Sequence, residues 1–578
     1  MKKVTDSLSD PYHLEKQSFP SSRTGPPPTP KTDSEGTFHD WFVLPPPFGP
    51  RISIRQNLLR STGIADSLFP SSIPRRYPPD LPLNLIGEIP FLITSTMTRL
   101  LLLAASIHLC SLSSLSAGTD ERRSPTPNIL LICVDDLRPE LKSFGADYIQ
   151  SPNIDRLAAS GRAFHRHYVN APTCGASRYT MLTGLYGSYG NQALFDRAEK
   201  LKSPAASIPP SMPEWFRHHG YKTVSVGKVS HHPGGWGGED WYDLNELEMP
   251  GAWDRQLMPT GPWKHPRGAM HSLAYGEIKP IGSFTENKMD AFQSVGDNDT
   301  DQHDGLIAHA GLEQLEDLAG SDQPFFLAIG LIKPHLPFGS PKRYMDPYLG
   351  IDLPPIPHPE KPNWPSTWHE SGEFMNQYLH YGRDPREDST YADQVRRHYA
   401  ACVSYVDHHV GEILAKLKET GRDQDTIVVL WGDHGWSLGE HAIWGKHSLF
   451  EESLRSPLII SVPDMKKPGE KSNAVIETVD LFPTLCDLTG LDQPGFAHGT
   501  SLRPQIDEPS APGHLAYAYT NKAQTLRTER YRFTLHPDGY AELYDHDSPA
   551  KESKNVAKQF PHTVEELKQL LLERASKE

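Results

Sequence analysis

Cysteine is scarce in this sequence: five residues in 578, with no Cys-x-x-Cys pair among them. That excludes a disulfide-dense scaffold and argues against a cysteine-built zinc site. Positive charge is short as well. The formal net charge of −15 argues against a general nucleic-acid binder. There are no internal repeats. Charged residues at 22% and hydrophobic residues at 37% fit a globular chain rather than a disordered or multi-span one.

Proline, by contrast, is abundant and uneven. Of 54 prolines, 16 fall in residues 1–96, in runs such as Pro26-Pro27-Pro28 and Pro45-Pro46-Pro47. No sustained periodicity accompanies them, so this stretch cannot bury enough apolar surface to offset its ordering entropy. Met97-Thr98-Arg99 then precedes an apolar core, Leu100–Ile107, and small residues ending Leu115-Ser116-Ala117-Gly118. Read from Met97, this is an export signal over 97–117 with a cut after Ala117. The expectation is a spurious or disordered extension over 1–96 and an exported, periplasmic or secreted chain without a stable membrane anchor. A single anchor at 91–117 is the alternative.

Asn128–Val134 is a continuous apolar run that stops at Asp135-Asp136. Such a run reads as a strand buried on both faces of a parallel sheet. The pattern returns at Thr223–Val226, Phe325–Ile332, Thr426–Trp431 and Leu458–Val462. Between these runs, Tyr399, Val403, Val406, Val410, Ile413, Leu414 and Leu417 keep helical spacing, and Gly421 offers a C-terminal stop. Alternating strands and helices predict an α/β fold: a large, mainly parallel central sheet flanked by helices. Ligands of such sheets bind beyond the carboxyl ends of the strands. Four of the five runs end in Asp, His or Lys clusters. Past about residue 505, Arg530–Leu535 and Tyr540–Tyr544 around the turn His536-Pro537-Asp538-Gly539 predict a small antiparallel sheet. Thr563-Val564-Glu565-Glu566 reads as a capping box opening a last helix. The predicted division is a catalytic domain over 118–505 and a C-terminal subdomain over 506–578.

The chemistry centres on Pro172-Thr173-Cys174-Gly175-Ala176-Ser177-Arg178-Tyr179-Thr180-Met181-Leu182-Thr183-Gly184. A cysteine at the start of a short helix, with an arginine one turn on, suits a nucleophile or metal ligand beside an oxyanion site. Asp135-Asp136 at one strand end and Asp433-His434 at another suit a hard cation, since adjacent carboxylates repel without one.

Cys174-x-Ala176-Ser177-Arg178-x3-Leu182-Thr183-Gly184 resembles the signature of the formylglycine-dependent sulfatases, within the alkaline-phosphatase-like superfamily. The iduronate-2-sulfatase-like group is the closest pattern, through Val134–Glu140, Gly227-Lys228-Val229, Lys333–Phe338 and Gly432–His441. The third signature position is more often Pro in that family, and here it is Ala176. The resemblance implies that a formylglycine-generating enzyme converts Cys174 to an aldehyde whose hydrate attacks sulfur. It implies a cation, calcium with magnesium as the alternative, held by Asp135, Asp136, Cys174, Asp433 and His434. It places Arg178, Lys228, His231, His335 and Lys446 as sulfate-contacting or acid/base groups, with His232 the competitor of His231. His408 and His409 read as structural.

The substrate implied is a sulfated saccharide. Trp236, Trp241, Trp253 and Trp263 either stack on sugar rings or pack a long insertion. Two other functions fit parts of the pattern: a phosphate or phosphonate ester hydrolase of the same superfamily, and a non-catalytic binder of sulfated glycans. Cys110 falls in the signal segment, Cys133 in a buried strand, and Cys402 and Cys486 in helical patterns, so no structural disulfide is expected.

Overall fold

The computed structural model describes residues 126–204, 207–232, 247–264, 266–278 and 288–576. The segments 1–96 and 97–117, Cys110, Trp236 and Trp241 lie outside the described residues.

In chain order the elements that build the site are β1 (Asn128–Val134), α1 (Pro152–Ser160), β2 (Arg162–Tyr168), α2 (Cys174–Thr183), β3 (Lys222–Gly227), β4 (Arg255–Leu257), α3 (His303–Ala319), β5 (Phe325–Leu331), α4 (Gly372–Gln377), α5 (Ser389–Glu419), β6 (Thr426–Gly432), β7 (Leu458–Ser461) and β8 (Ser472–Glu477). Among the described residues the eight strands form one sheet in the order β8-β2-β7-β6-β1-β5-β3-β4. β1 pairs in parallel with β6 and β5, and β3 pairs in parallel with β5 and β4.

β1 is buried along its whole length. Its side chains alternate between two cores, as a pleated strand must. Leu130, Ile132 and Val134 join Ile307 of α3 and Val403 and Val406 of α5 on one face. Ile129, Leu131 and Cys133 join Met181 of α2 and Phe216 on the other. α5 carries the predicted helical stripe, and Gly421 follows it at φ 72°.

One strand departs from expectation. β7 runs antiparallel to both β6 and β2. No long helix spans the 25 residues between β6 and β7, and a parallel return needs such a crossover. The end of β7 therefore lies on the side away from the ends of β1, β5 and β6. β2 and β8, absent from the sequence reading, pair in parallel at the sheet edge.

The C-terminal region holds four antiparallel strands rather than the two expected: β9 (Ala516–Tyr519), β10 (Gln524–Arg527), β11 (Tyr531–Leu535) and β12 (Ala541–Asp545). The last helix, α6 (Pro561–Ala575), begins before the expected capping box, with Pro561 in its first turn and no side-chain cap. Proline suits that position because its missing N–H would be unpaired there anyway. No helix among the described residues is long and apolar enough to cross a membrane.

Candidate active site

The ends of the parallel strands converge. Asp135 and Asp136 leave β1, and Asp136 turns the chain at φ 58°. Its backbone N–H donates to Oδ1 of Asp433 at 2.9 Å. Its carbonyl accepts the hydroxyl of Tyr399, on α5, at 2.8 Å. Asp433 and His434 leave β6. Lys228 leaves β3 after Gly227, whose φ of 74° and approach to the Gly330 carbonyl leave no room for a side chain. His335 follows β5. Lys446 comes from a short hairpin, Ser437–Leu438 against Trp444–Gly445.

Cys174 is the first residue of α2, and Thr173 is its N-cap. Asn191 completes this helix start. Its Oδ1 accepts from the Gly175 N–H at 2.9 Å and from the Thr173 hydroxyl at 3.2 Å.

Around the Cys174 sulfur stand Lys446 Nζ at 3.2 Å, His434 Nε2 at 3.3 Å and Asp136 Oδ1 at 3.9 Å. Lys446 also reaches Asp136 Oδ1 at 2.9 Å. Arg178, one turn along α2, donates through one Nη2 to Asp135 and Asp433, each at 3.0 Å. Its Nη1 donates to the carbonyls of Lys228 and Val229. Lys228 Nζ pairs with Asp135. Asp135, Asp136, Arg178, Asp433 and His434 are fully buried, and Cys174 and Lys228 are 1% exposed.

Electrostatics separate the three carboxyls. Burial opposes ionisation of Asp135, but Lys228 and Arg178 overcome it and hold that carboxyl well below its usual range. Burial pushes Asp136 up to about 7, with Lys446 opposing and Asp135 and Glu373 adding to the rise. Burial and Asp135 push Asp433 well above the usual carboxylate range. Three acids in so small a volume raise one another's cost of ionisation, and Arg178, Lys228 and Lys446 only balance them charge for charge.

Closely spaced carboxylate oxygens, with two of the carboxyls held above their usual range by burial and by Asp135, fit a divalent cation. Ligand atoms of Asp135, Cys174, Asp433 and His434 lie within 4.8 Å of one another, and so do those of Asp135, Asp136, Cys174 and His335. His434 Nδ1 donates to the Gly435 carbonyl at 2.9 Å, which leaves the Nε2 lone pair aimed at the cluster. As a plain thiol Cys174 is a poor nucleophile: burial, then Asp135, push it well above its ordinary value.

His335 is buried, and its Nδ1 donates to the Leu336 carbonyl at 2.7 Å. Burial, Lys228 and Lys446 keep it neutral. His231 and His232 are both buried. His231 lies in the fields of Lys228, Asp135 and Arg178. His232 packs on Phe195, and its backbone N–H donates to Glu248. His408 and His409 sit on α5 and pair with Asp299 and Glu412, away from the cluster. Trp253 and Trp263 are buried packing residues.

Two residues escaped the sequence reading. Asn191 caps the helix that carries Cys174, and Glu373, at the start of α4, faces His335 at 3.9 Å and both Lys446 and His447 at 3.8 Å. Neither has a local motif. Glu373 follows a proline-rich stretch with no periodicity, so only the tertiary path brings it here.

Comparison with known proteins bears on this geometry directly. The Sulfatase family profile matches residues 127–491, and the profile for the C-terminal part of N-sulphoglucosamine sulphohydrolase matches 439–577. A sulfatase of Formosa agariphila is 30% identical over 494 residues, 80% of this chain and 90% of that protein. Human iduronate 2-sulfatase is 31% identical over 402 residues, 64% of this chain and 70% of that protein. Among solved structures, the phosphonate monoester hydrolase of Agrobacterium radiobacter shares the fold with a TM-score of 0.61 and 22% identity, over 78% of this chain and 96% of that one. A protein solved with its substrate D-glucosamine-2-N,6-O-disulfate does so with a TM-score of 0.60 and 21% identity, over 78% and 98%. With its strand-end cluster of acids, lysines and histidines around Cys174 and a family match over 127–491, this chain belongs to the sulfatase family of enzymes.

Proposed function

We propose that this enzyme removes sulfate from a sulfated saccharide, with Cys174 converted to formylglycine and a calcium ion as cofactor. The observation that carries the reading is the convergence of Asp135, Asp136, Cys174, Arg178, Lys228, His335, Asp433, His434 and Lys446 in one buried cluster. Asp135, Asp136, Asp433 and His434, with the side chain at 174, would hold the cation, which when bound supplies Lewis-acid stabilisation of a sulfate oxygen. The aldehyde at 174 would supply a hydrated nucleophile in place of a thiol that burial keeps protonated.

The chain's own residues have separable tasks. Arg178 fixes Asp135 and Asp433 relative to each other. Lys228 and Lys446 supply positive charge for the ester oxygens. His335 Nε2, left open by the Nδ1 contact to Leu336, and His231 are the groups to handle the proton at the leaving oxygen. Burial of the whole cluster excludes water and strengthens each of these contacts.

The saccharide reading draws support from the human relative's name, iduronate 2-sulfatase, and from the glucosamine disulfate bound by a protein of the same fold. Export through a signal at 97–117 and action outside the cytoplasm belong to the same proposal. A desulfation screen over defined sulfated saccharides, with mass spectrometry of the Cys174 peptide from the native host, tests it. Release of sulfate together with a formylglycine mass supports it, and an intact thiol in active protein refutes the formylglycine part. The shared fold of a phosphonate monoester hydrolase gives one competing reading. Faster turnover of a phosphate or phosphonate ester than of the matched sulfate ester would favour it.

A further inference from the structure

Four carboxylates face the Cys174 pocket, and three of them, Asp135, Asp136 and Asp433, are fully buried. Glu373 differs: its side chain is 22% exposed, on the solvent side of the cluster. Its Oε2 lies 3.8 Å from Lys446 Nζ and 3.8 Å from His447 Nε2, and its Oε1 lies 3.9 Å from His335 Nε2. Lys446 in turn touches the Cys174 sulfur at 3.2 Å. An ester that reaches residue 174 therefore sits in the field of this outer carboxylate.

A fixed negative charge penalises a ligand in proportion to the ligand's own negative charge. A sulfate monoester carries one negative charge. A phosphate monoester, whose second pKa is about 6, carries two above neutrality. From this geometry we infer that Glu373 is a specificity-determining residue that selects monoanionic esters over dianionic phosphate monoesters. The inference rests on the sulfatase reading above and adds the basis of its selectivity. Lys446, partly offset by Glu373, keeps enough positive charge for one anionic oxygen and too little for a second full charge. The same field favours departure of the doubly charged sulfate product.

The test uses the mature full-length enzyme as wild type, Glu373→Gln and Glu373→Asp. Three aryl esters are compared at pH 8: p-nitrophenyl sulfate, p-nitrophenyl phenylphosphonate and p-nitrophenyl phosphate. Binding of inorganic phosphate is measured separately by calorimetry. For Glu373→Gln the expected result is a rise of about tenfold or more in kcat/KM for the phosphate ester relative to the sulfate ester, with the two monoanionic esters keeping their ratio. Phosphate should bind about tenfold tighter. Glu373→Asp, which keeps the charge, should restore the wild-type selectivity. Equal changes for all three esters, or phosphate affinity unmoved by loss of the charge, would overturn the inference. Wild-type enzyme that turns over no sulfate ester would overturn the sulfatase reading instead, and the phosphate-binding arm would still decide the role of Glu373.

Discussion

Asp136 and Asp433, 297 positions apart in the chain, are joined by a 2.9 Å hydrogen bond from the backbone N–H of one to the carboxylate of the other. Arg178 holds the second oxygen of Asp433 at 3.0 Å. Asp433 is thus both a candidate cation ligand and the brace between β1, α2 and β6. Asp433→Asn keeps the volume and removes the charge. Calcium affinity measured by calorimetry should fall about a hundredfold or more, and sulfate release should fall with it, because the cation then loses one anionic oxygen ligand. Wild-type calcium affinity in the variant would remove Asp433 from the cation site.

Cys174→Ala should abolish turnover while the fold survives. The helix start is capped by Asn191 and not by the sulfur, so little packing is lost. Circular dichroism and a melting temperature within a few degrees of wild type would establish the intact fold. Residual activity near the wild-type level would show that another group is the nucleophile.

Gly175→Ala probes the same helix from its other side. A Cβ at 175 would overlap the backbone of Asn191, which cannot give way as a flexible side chain would. Denaturant titration should show a loss of roughly 1–3 kcal/mol, with activity reduced further because residue 174 moves with the helix. A variant as stable and active as wild type would mean that the 191 segment shifts freely.

His514 supplies a pH dependence remote from Cys174. Its Nε2 lies 2.7 Å from Asp480 and its Nδ1 3.9 Å from Glu477, while Arg574 of α6 pairs with Glu477. Burial opposes its charge, but Asp480 and Glu477 outweigh burial and raise the imidazole to about 9. A raised folded-state pKa stabilises the protein fully below the unfolded value of about 6.5 and loses that contribution as pH rises through about 9. The melting-temperature difference between wild type and His514→Gln should therefore be largest near pH 6 and shrink toward pH 9.5. A difference that stays constant over that range would assign His514 a packing role only.

The parallel core was legible because strands buried on both faces leave unbroken apolar runs, and β1, β3, β5 and β6 each end where chemistry begins. Direction was not legible: the apolar run of β7 reads the same whichever way it lies. β2 was hidden by its polar residues. Arg162 is fully buried there because its guanidinium donates to the carbonyls of Lys466 and Ile506, a partnership that the local sequence cannot announce. The site residues carried by motifs, from Asp135 to Lys446, come together in one place. Glu373 and Asn191 do not stand in such motifs, since their contacts depend on how long connections fold back.

The burial of Cys174 also bears on the proposed conversion of that residue. At 1% exposure, behind Lys446 and His434, the side chain is out of reach of another protein once the sheet has closed. On the formylglycine proposal, an enzyme that converts it would have to meet the chain while residues 172–184 are still unstructured. Conversion and folding would then compete for the same interval, and a chain that folds first would keep its unmodified thiol.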